Sequence, residues 1–531
     1  MATNFSKSTF RKTDSLAAIF AWILVSVLAG CGGGGNGGSI YSPSTPTGPA
    51  PSPVTGLWQP AAGATPATGN YVYLQSDSGD YIGLGQTYPY TQATASVSVT
   101  ANSGRLTVNI NGNQQWSGDF QAMNTLTQLQ PGYYSGLQRY PFHDPALGGL
   151  NWSGAGRGCN TLQGWFVIDS VTYVGGALTA IDLRFEQHCE GGVAALHGAV
   201  HWTASDTTAP AGPATPPAGL WQPAAGATPT TGNYVYLQSD VGDYIGQGLT
   251  QTYTQASATL SVAATEGHLV IGVNGNQLWS GDFQTMNTLT QLQPGYYSGL
   301  QRYPFHNPVI GGLNWSGAGR GCNTLQGWFV IDSVTYTGGA LTAIDLRFEQ
   351  HCEGAVAALH GAIHWTSADT TVPAGPINPP PAGLWQPAAG STPATGNYVY
   401  LQSDAGDYIG QGATYTYAPA SATLSVAANA GRLTVGVTGN EWWSGDFQAM
   451  NTLTQLQPGY YSGLQRYPFH NPALGGLNWS GSGRGCNTLQ GWFVIDNVTY
   501  TGGTLTTIDL RFEQHCEGFP PALHGVVHWV F

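Results

Sequence analysis

Between Leu178 and His188 the residue types alternate in a way that could carry chemistry. Ile181, Leu183 and Phe185 fall on one side of an extended chain, and Asp182, Arg184, Glu186 and His188 on the other, because successive side chains of a strand point to opposite faces. Two further runs flank this one, Trp165 to Tyr173 and Leu196 to Trp202, with Gly175-Gly176 as a two-residue hairpin turn between the first and second. Pairing across that turn sets Trp165 opposite Glu186 and Asp169 opposite Asp182. In the third run Leu196, Val200 and Trp202 belong with the apolar side, so His197 and His201 join the polar one. One sheet face is thereby expected to gather Trp165, Asp169, Asp182, Arg184, Glu186, His188, His197 and His201, with Val167, Val171 and Tyr173 sharing that side.

Three uses of such a face compete. Outward faces of antiparallel sheets are ordinarily polar and solvated, so the histidines and Arg184 would simply balance the carboxylates. A Trp beside carboxylates, Arg and His is also the mixture that stacks on a sugar ring and bonds its hydroxyls. Third, Glu186, His188 and His197 could offer three ligands to a divalent ion such as zinc and leave a position for water. His197 and His201 do not form a helical metal pair: no Glu follows His197, and on a strand the two lie ~13 Å apart. Asp77-Ser78-Gly79-Asp80 could offer two carboxylates to calcium, but it reads first as an ordinary Asp/Gly turn. Asp169 with Asp182, or Glu186 with Glu190, could be drafted as a carboxylate pair for glycoside hydrolysis. No nucleophile elbow, P-loop or dinucleotide fingerprint is present.

These residues come in triplicate. Gly56-Leu57-Trp58-Gln59-Pro60 returns at Gly219 and at Gly383, and each copy closes on His-Trp, so that residues 56–202, 219–365 and 383–529 are each 147 long. Module three is carried on to residue 531. The polar face therefore recurs with Trp328, Glu349, His351 and His360, and with Trp492, Glu513, His515 and His524. Met123 to His143 repeats letter for letter in the other copies, and the next residue changes from Asp144 to Asn307 and Asn471. Such identity marks recent duplication, so sameness between copies does not single out functional residues. Alternating runs bounded by Gly and Asn give the expected fold: all-β, three tandem antiparallel β-sandwich or partly closed barrel domains. Met123-Leu126-Leu129 is the one hint of a helical turn. Aromatic-rich loops, Tyr140-Pro141-Phe142-His143 among them, are places where binding residues are often carried.

Six of the seven cysteines form pairs of equal spacing: Cys159 with Cys189, Cys322 with Cys352, and Cys486 with Cys516. Two per module are too few for a four-cysteine zinc site, and an oxidising compartment favours one disulfide in each module. In the chain-entropy model each closed loop contributes roughly 3–4 kcal/mol. Residues 203–218 and 366–382, rich in Pro, Ala and Thr, are expected to be extended, semi-rigid linkers, and residues 31–55 a flexible Gly/Ser/Pro tether.

Residues 1–30 read as an export signal, with Lys7, Arg11 and Lys12 ahead of the apolar stretch Leu16 to Leu28, which is too short to span a bilayer. Leu28-Ala29-Gly30-Cys31 resembles the lipobox of bacterial lipoproteins. That resemblance implies cleavage before Cys31, acylation of Cys31 and, with Gly32 rather than an acidic residue next, an outer-membrane anchor. The modules themselves, with Gly156-Arg157-Gly158-Cys159-Asn160 and Phe185-Glu186-Gln187-His188-Cys189, resemble a β-rich unit of uncharacterised secreted bacterial proteins, a likeness that brings no activity with it.

Loss of residues 1–30 removes Lys7, Arg11, Lys12 and Asp14, leaving 11 Arg against 26 acidic residues, a net charge of −15 with no lysine. Nucleic-acid binding, which needs clustered cations against phosphate, is excluded. The expected function is multivalent adhesion or glycan binding by a non-catalytic lipoprotein facing the surface or periplasm. A structural envelope spacer and a metal-dependent hydrolase are the alternatives, and no cofactor beyond the lipid is expected.

Overall fold

A computed structural model describes residues 55–531; the leader, Cys31 and the tether up to residue 54 lie outside the described residues. The first module contains ten strands: β1 (Tyr71–Ser76), β2 (Thr87–Thr91), β3 (Ser96–Asn102), β4 (Arg105–Asn111), β5 (Gln115–Gln121), β6 (Gly132–Arg139), β7 (Gly149–Gly154), β8 (Leu162–Val174), β9 (Ala177–Cys189) and β10 (Ala195–Thr203). They form one curled sheet in the order β2-β1-β10-β9-β8-β6-β7-β5-β4-β3. The second copy runs from β11 (Tyr234–Ser239) to β20 (Leu359–Thr366) and the third from β21 (Tyr398–Ser403) to β30 (Ala522–Val530), each with the same order. All pairings are antiparallel except a two-residue contact of β6 with β7 and its counterparts in the other copies. The protein is thus all-β, with a nearly closed barrel-like sheet in each module in place of two stacked sheets. Among the described residues there is no helix; Met123 and Leu126 form only a single turn.

The interior is filled from the apolar side of each strand: Leu106, Val108 and Ile110 of β4, Trp116 and Phe120 of β5, Phe166 and Ile168 of β8, Ile181, Leu183 and Phe185 of β9. Glycine appears where a ring must lie flat on the backbone. A methyl at Gly118 would run into the Trp152 ring, and one at Gly198 into Phe185. Gln187, fully buried, spans this interior from β9: its Oε1 accepts from Trp152 N at 2.7 Å and its Nε2 donates to Trp152 O at 2.8 Å, so a buried amide is satisfied while β9 is tied to β7. Trp116 Nε1 donates to the Tyr90 hydroxyl at 2.8 Å and so links β5 to the edge strand β2.

The three disulfides join the expected partners, each 30 residues apart: Cys159 is bonded to Cys189, Cys322 to Cys352, and Cys486 to Cys516. Cys189, Cys352 and Cys516 each end the long strand that carries the polar face, and each is buried or nearly so, at 9%, 4% and 4% exposure, so the bridges belong to the packed barrel and present no thiol for a metal. The linkers are extended but not free. Ala214 and Tyr296 exchange backbone hydrogen bonds of 3.0 and 2.7 Å, and Ile377 and Tyr460 bonds of 3.0 and 2.9 Å, so each linker is pinned to the module that follows it.

Candidate functional site

The hairpin register holds from Trp165 opposite Glu186 to Ile168 opposite Leu183, and then a bulge intervenes, so that Ser170 and not Asp169 faces Asp182. The expected opposition of Asp169 and Asp182 is therefore wrong. An extra residue in one strand shifts every later partner, and Asp169 swings to Arg184, whose Nε and Nη2 donate to it at 2.8 Å each. Asp169 stays on the polar side, whereas Val171, expected there too, turns inward opposite Ile181 and packs on the core.

On β10, His197 lies directly across from Glu186. Glu186 is the hub of the cluster. Its Oε1 accepts from Trp165 Nε1 at 3.1 Å and is 3.2 Å from His188 Nε2, and its Oε2 is 3.1 Å from His197 Nδ1. His197 Nε2 lies 3.4 Å from Asp77, and the Trp58 ring stacks on its imidazole with centroids 5.1 Å apart. Arg184 Nη1 in turn donates to Trp58 O at 2.9 Å. Further along the sheet His201 Nδ1 meets Asp182 at 2.6 Å, and Ser170 Oγ donates to the other oxygen of Asp182. The face thus divides into the Glu186 hub, the Asp169–Arg184 pair and the Asp182–His201 pair.

The copies repeat this arrangement. Glu349 sits between His351 (3.1 Å) and His360 (3.2 Å), with Trp221 stacked on His360; Glu513 sits between His515 and His524, each at 3.2 Å, with Trp385 on His524. Trp492 Nε1 donates to Glu513 at 3.1 Å. Trp328 occupies the place of Trp165 and faces Glu349.

The hub is covered, whereas Asp169, Asp182 and His201 stay open to solvent. Trp165 and His197 are each only 8% exposed: the Trp58 ring lies on His197, and Tyr133 leans on Trp165. A sugar ring has no open indole to stack on. Glu186, His188 and His197 direct their polar atoms at one another, and among the described residues no group of three His, Cys, Asp or Glu side chains is arranged to hold a metal ion. Asp80 is also spent internally: it accepts from Ser76 Oγ, Gly83 N and Ile82 N, the bonding of a turn.

Beside the imidazoles of His360 and His524, the carboxyls of Glu349 and Glu513 are held at about 2, although partial burial works the other way. Since the folded value lies below the unfolded 4.5, this stabilisation is complete above pH ~4.5 and is lost as pH falls towards 2. After solvent screening it is on the order of 1–2 kcal/mol for each of Glu349 and Glu513. Chemical denaturation of the chain at pH 6 and pH 3 is expected to show the loss, and Glu349→Gln with Glu513→Gln to flatten the dependence in that window. An unaltered slope in the double variant would rule out this origin.

An open site lies at the loop end of the barrel. Phe142, Phe305 and Phe469 are 75%, 70% and 76% exposed. Phe142 borders a groove lined by Gln138, Arg139, Asn160, Thr161 and Gln163. The Arg139 guanidinium lies 5.5 Å from the Phe142 ring centroid and donates to Asn160 O at 3.1 Å. Beside the groove Glu190 accepts from Thr161 Oγ1 at 2.8 Å, and this hydroxyl, with the amide of Asn160, holds the Glu190 carboxyl below its usual range. The Cys159–Cys189 disulfide stands immediately before Asn160 and Glu190 and so holds these two bonded residues together; Cys322–Cys352 and Cys486–Cys516 hold the same place before Asn323 and Glu353 and before Asn487 and Glu517. The sequence marked this loop only as aromatic and Gly/Pro-rich, and nothing local separated Phe142 on the surface from Tyr134 in the core. Compared with known proteins, the chain matches no family model and no curated protein.

Proposed function

We propose that this chain is a non-catalytic lipoprotein, anchored in the outer membrane through acylated Cys31, that holds glycans weakly at three Phe142-type grooves. The observation that supports it is the exposed ring set beside amide, hydroxyl and guanidinium groups. A pyranose offers an apolar C–H face and an edge of hydroxyls; a phenyl ring receives the first, and Gln138, Gln163, Thr161 and Arg139 bond the second. With a net charge near −15 and no lysine after residue 30, neutral sugars are the fitting ligands and nucleic acid is not. No catalytic residue and no cofactor beyond the lipid enter this reading. Retention of the chain on a panel of immobilised glycans tests it; no retention on any of them would leave an envelope spacer without ligand, a second reading that the pinned linkers favour.

The anchor has its own test. Cys31→Ala is expected to abolish lipid labelling and to leave the protein soluble or unprocessed. Processed protein that still fractionates with the outer membrane would defeat the lipoprotein assignment.

A further inference from the structure

We propose that the residue following the Met123 to His143 stretch sets where the row of modules ends: asparagine there couples a module to the one before it, whereas Asp144 bars a second copy of this chain. Asn307 is 1% exposed and Asn471 3%. Asn307 Nδ2 donates to Thr94 O of the preceding module at 2.8 Å and to Asn113 Oδ1 at 3.2 Å; Asn471 Nδ2 donates to Ser257 O at 2.7 Å. Gln301 and Gln465 reach the same joints, bonding Asn113 O and Asn276 O.

The other side-chain atom does the same work in all three modules. Oδ1 accepts the backbone N–H two residues on, from Ala146 to Asp144, from Val309 to Asn307 and from Ala473 to Asn471, at 2.9–3.1 Å. Local geometry is therefore shared, and the difference is the second atom: an NH₂ that can donate to a carbonyl, or a carboxylate oxygen that cannot. Facing Thr94 O or its like, the carboxylate would leave two acceptors opposed and desolvated without a proton between them.

Among the described residues, nothing covers the face at either end of the row. On module one Asp144 is exposed and Leu147 is 46% exposed, whereas its counterparts Ile310 and Leu474 are half-buried. On module three Ser421 and Ala422 stand where Thr94 and Ala95 stand in module one; Ala95 and Ala258 are buried, and Ala422 is only half-buried. A free acceptor surface at one end and a matching face at the other make a heterologous contact, which between molecules grows into open-ended filaments. Asp144 is what prevents this.

Asp144→Asn in the chain from Gly32 onward tests the proposal by sedimentation up to about 1 mM, comparable to the effective concentration that a short linker imposes. The variant is expected to associate about tenfold or more tightly than the unaltered chain, in head-to-tail oligomers whose cross-links join module one of one copy to module three of the next. Conversely, Asn307→Asp with Asn471→Asp is expected to open the joints and lengthen the maximum dimension in small-angle scattering. Sedimentation of Asp144→Asn identical to the unaltered chain, cross-links of another geometry, or unchanged dimensions of the double variant would each overturn it.

Discussion

Replacing Phe142, Phe305 and Phe469 one after another by alanine is expected to weaken retention on a glycan matrix in steps, with the triple variant washing off as an unretained protein does. The size of the effect follows from linkage. A single groove on a rim of loops buries little area and binds weakly; three on one chain turn the second and third encounters into intramolecular ones, which raises avidity by ~10²–10⁴ without any new contact. Each ring is at least 70% exposed even though the loop also carries the joint residues Asn307 and Asn471, so docking between modules leaves the rings free. The same exposure means that alanine there removes almost no buried surface, and surface changes of this kind stay within about 0.5 kcal/mol. Loss of retention with an unchanged melting temperature is the expected pair of results. Retention that survives the triple replacement would move the binding site elsewhere.

Much of the barrel is legible in the sequence wherever a period of two is clean. Ile181-Leu183-Phe185, the Gly175-Gly176 turn with both glycines at positive φ, and the pairing of Cys189, Cys352 and Cys516 with the cysteine 30 residues before each all reappear as expected. The bulge at Asp169 is not legible, because no residue type there demands it; it shows only in the partners, and it costs one of the predicted carboxylate oppositions. The fate of the polar face is hidden for a different reason. Trp58 is far from His197 along the chain, and alternation along β9 says which side of the strand Glu186 takes but not what is laid over it. A face of Trp, Glu and His reads the same from sequence whether water, a sugar or another part of the chain covers it. Conversely, Asp144 and Asn307 stand out in the sequence as the one change after a perfect repeat, and only the joint gives that change a meaning.

Trp165→Ala, Trp328→Ala and Trp492→Ala together are expected to damage the fold rather than a binding surface. Each indole is 8% exposed, so its removal opens a cavity beneath Tyr133 and its counterparts, and truncating a buried Trp costs about 3–5 kcal/mol. The indole N–H is lost as well, which leaves one oxygen of Glu186 or Glu513 with His188 or His515 as its remaining partner. Against a stability of roughly 5–15 kcal/mol for a domain, that is a large fraction, and for a module of this length it corresponds to a melting temperature lower by about 10–15 °C. Calorimetry of the triple variant checks this, and its comparison with the Phe142-type variants separates two kinds of aromatic residue in one module. The tryptophans hold a covered polar cluster together, so their loss is expected to lower the melting temperature first and retention only through unfolding. If the tryptophan variant instead melted with the unaltered chain and lost its hold on glycan, Trp58 would have to be a movable cover and the Glu186 hub the binding site.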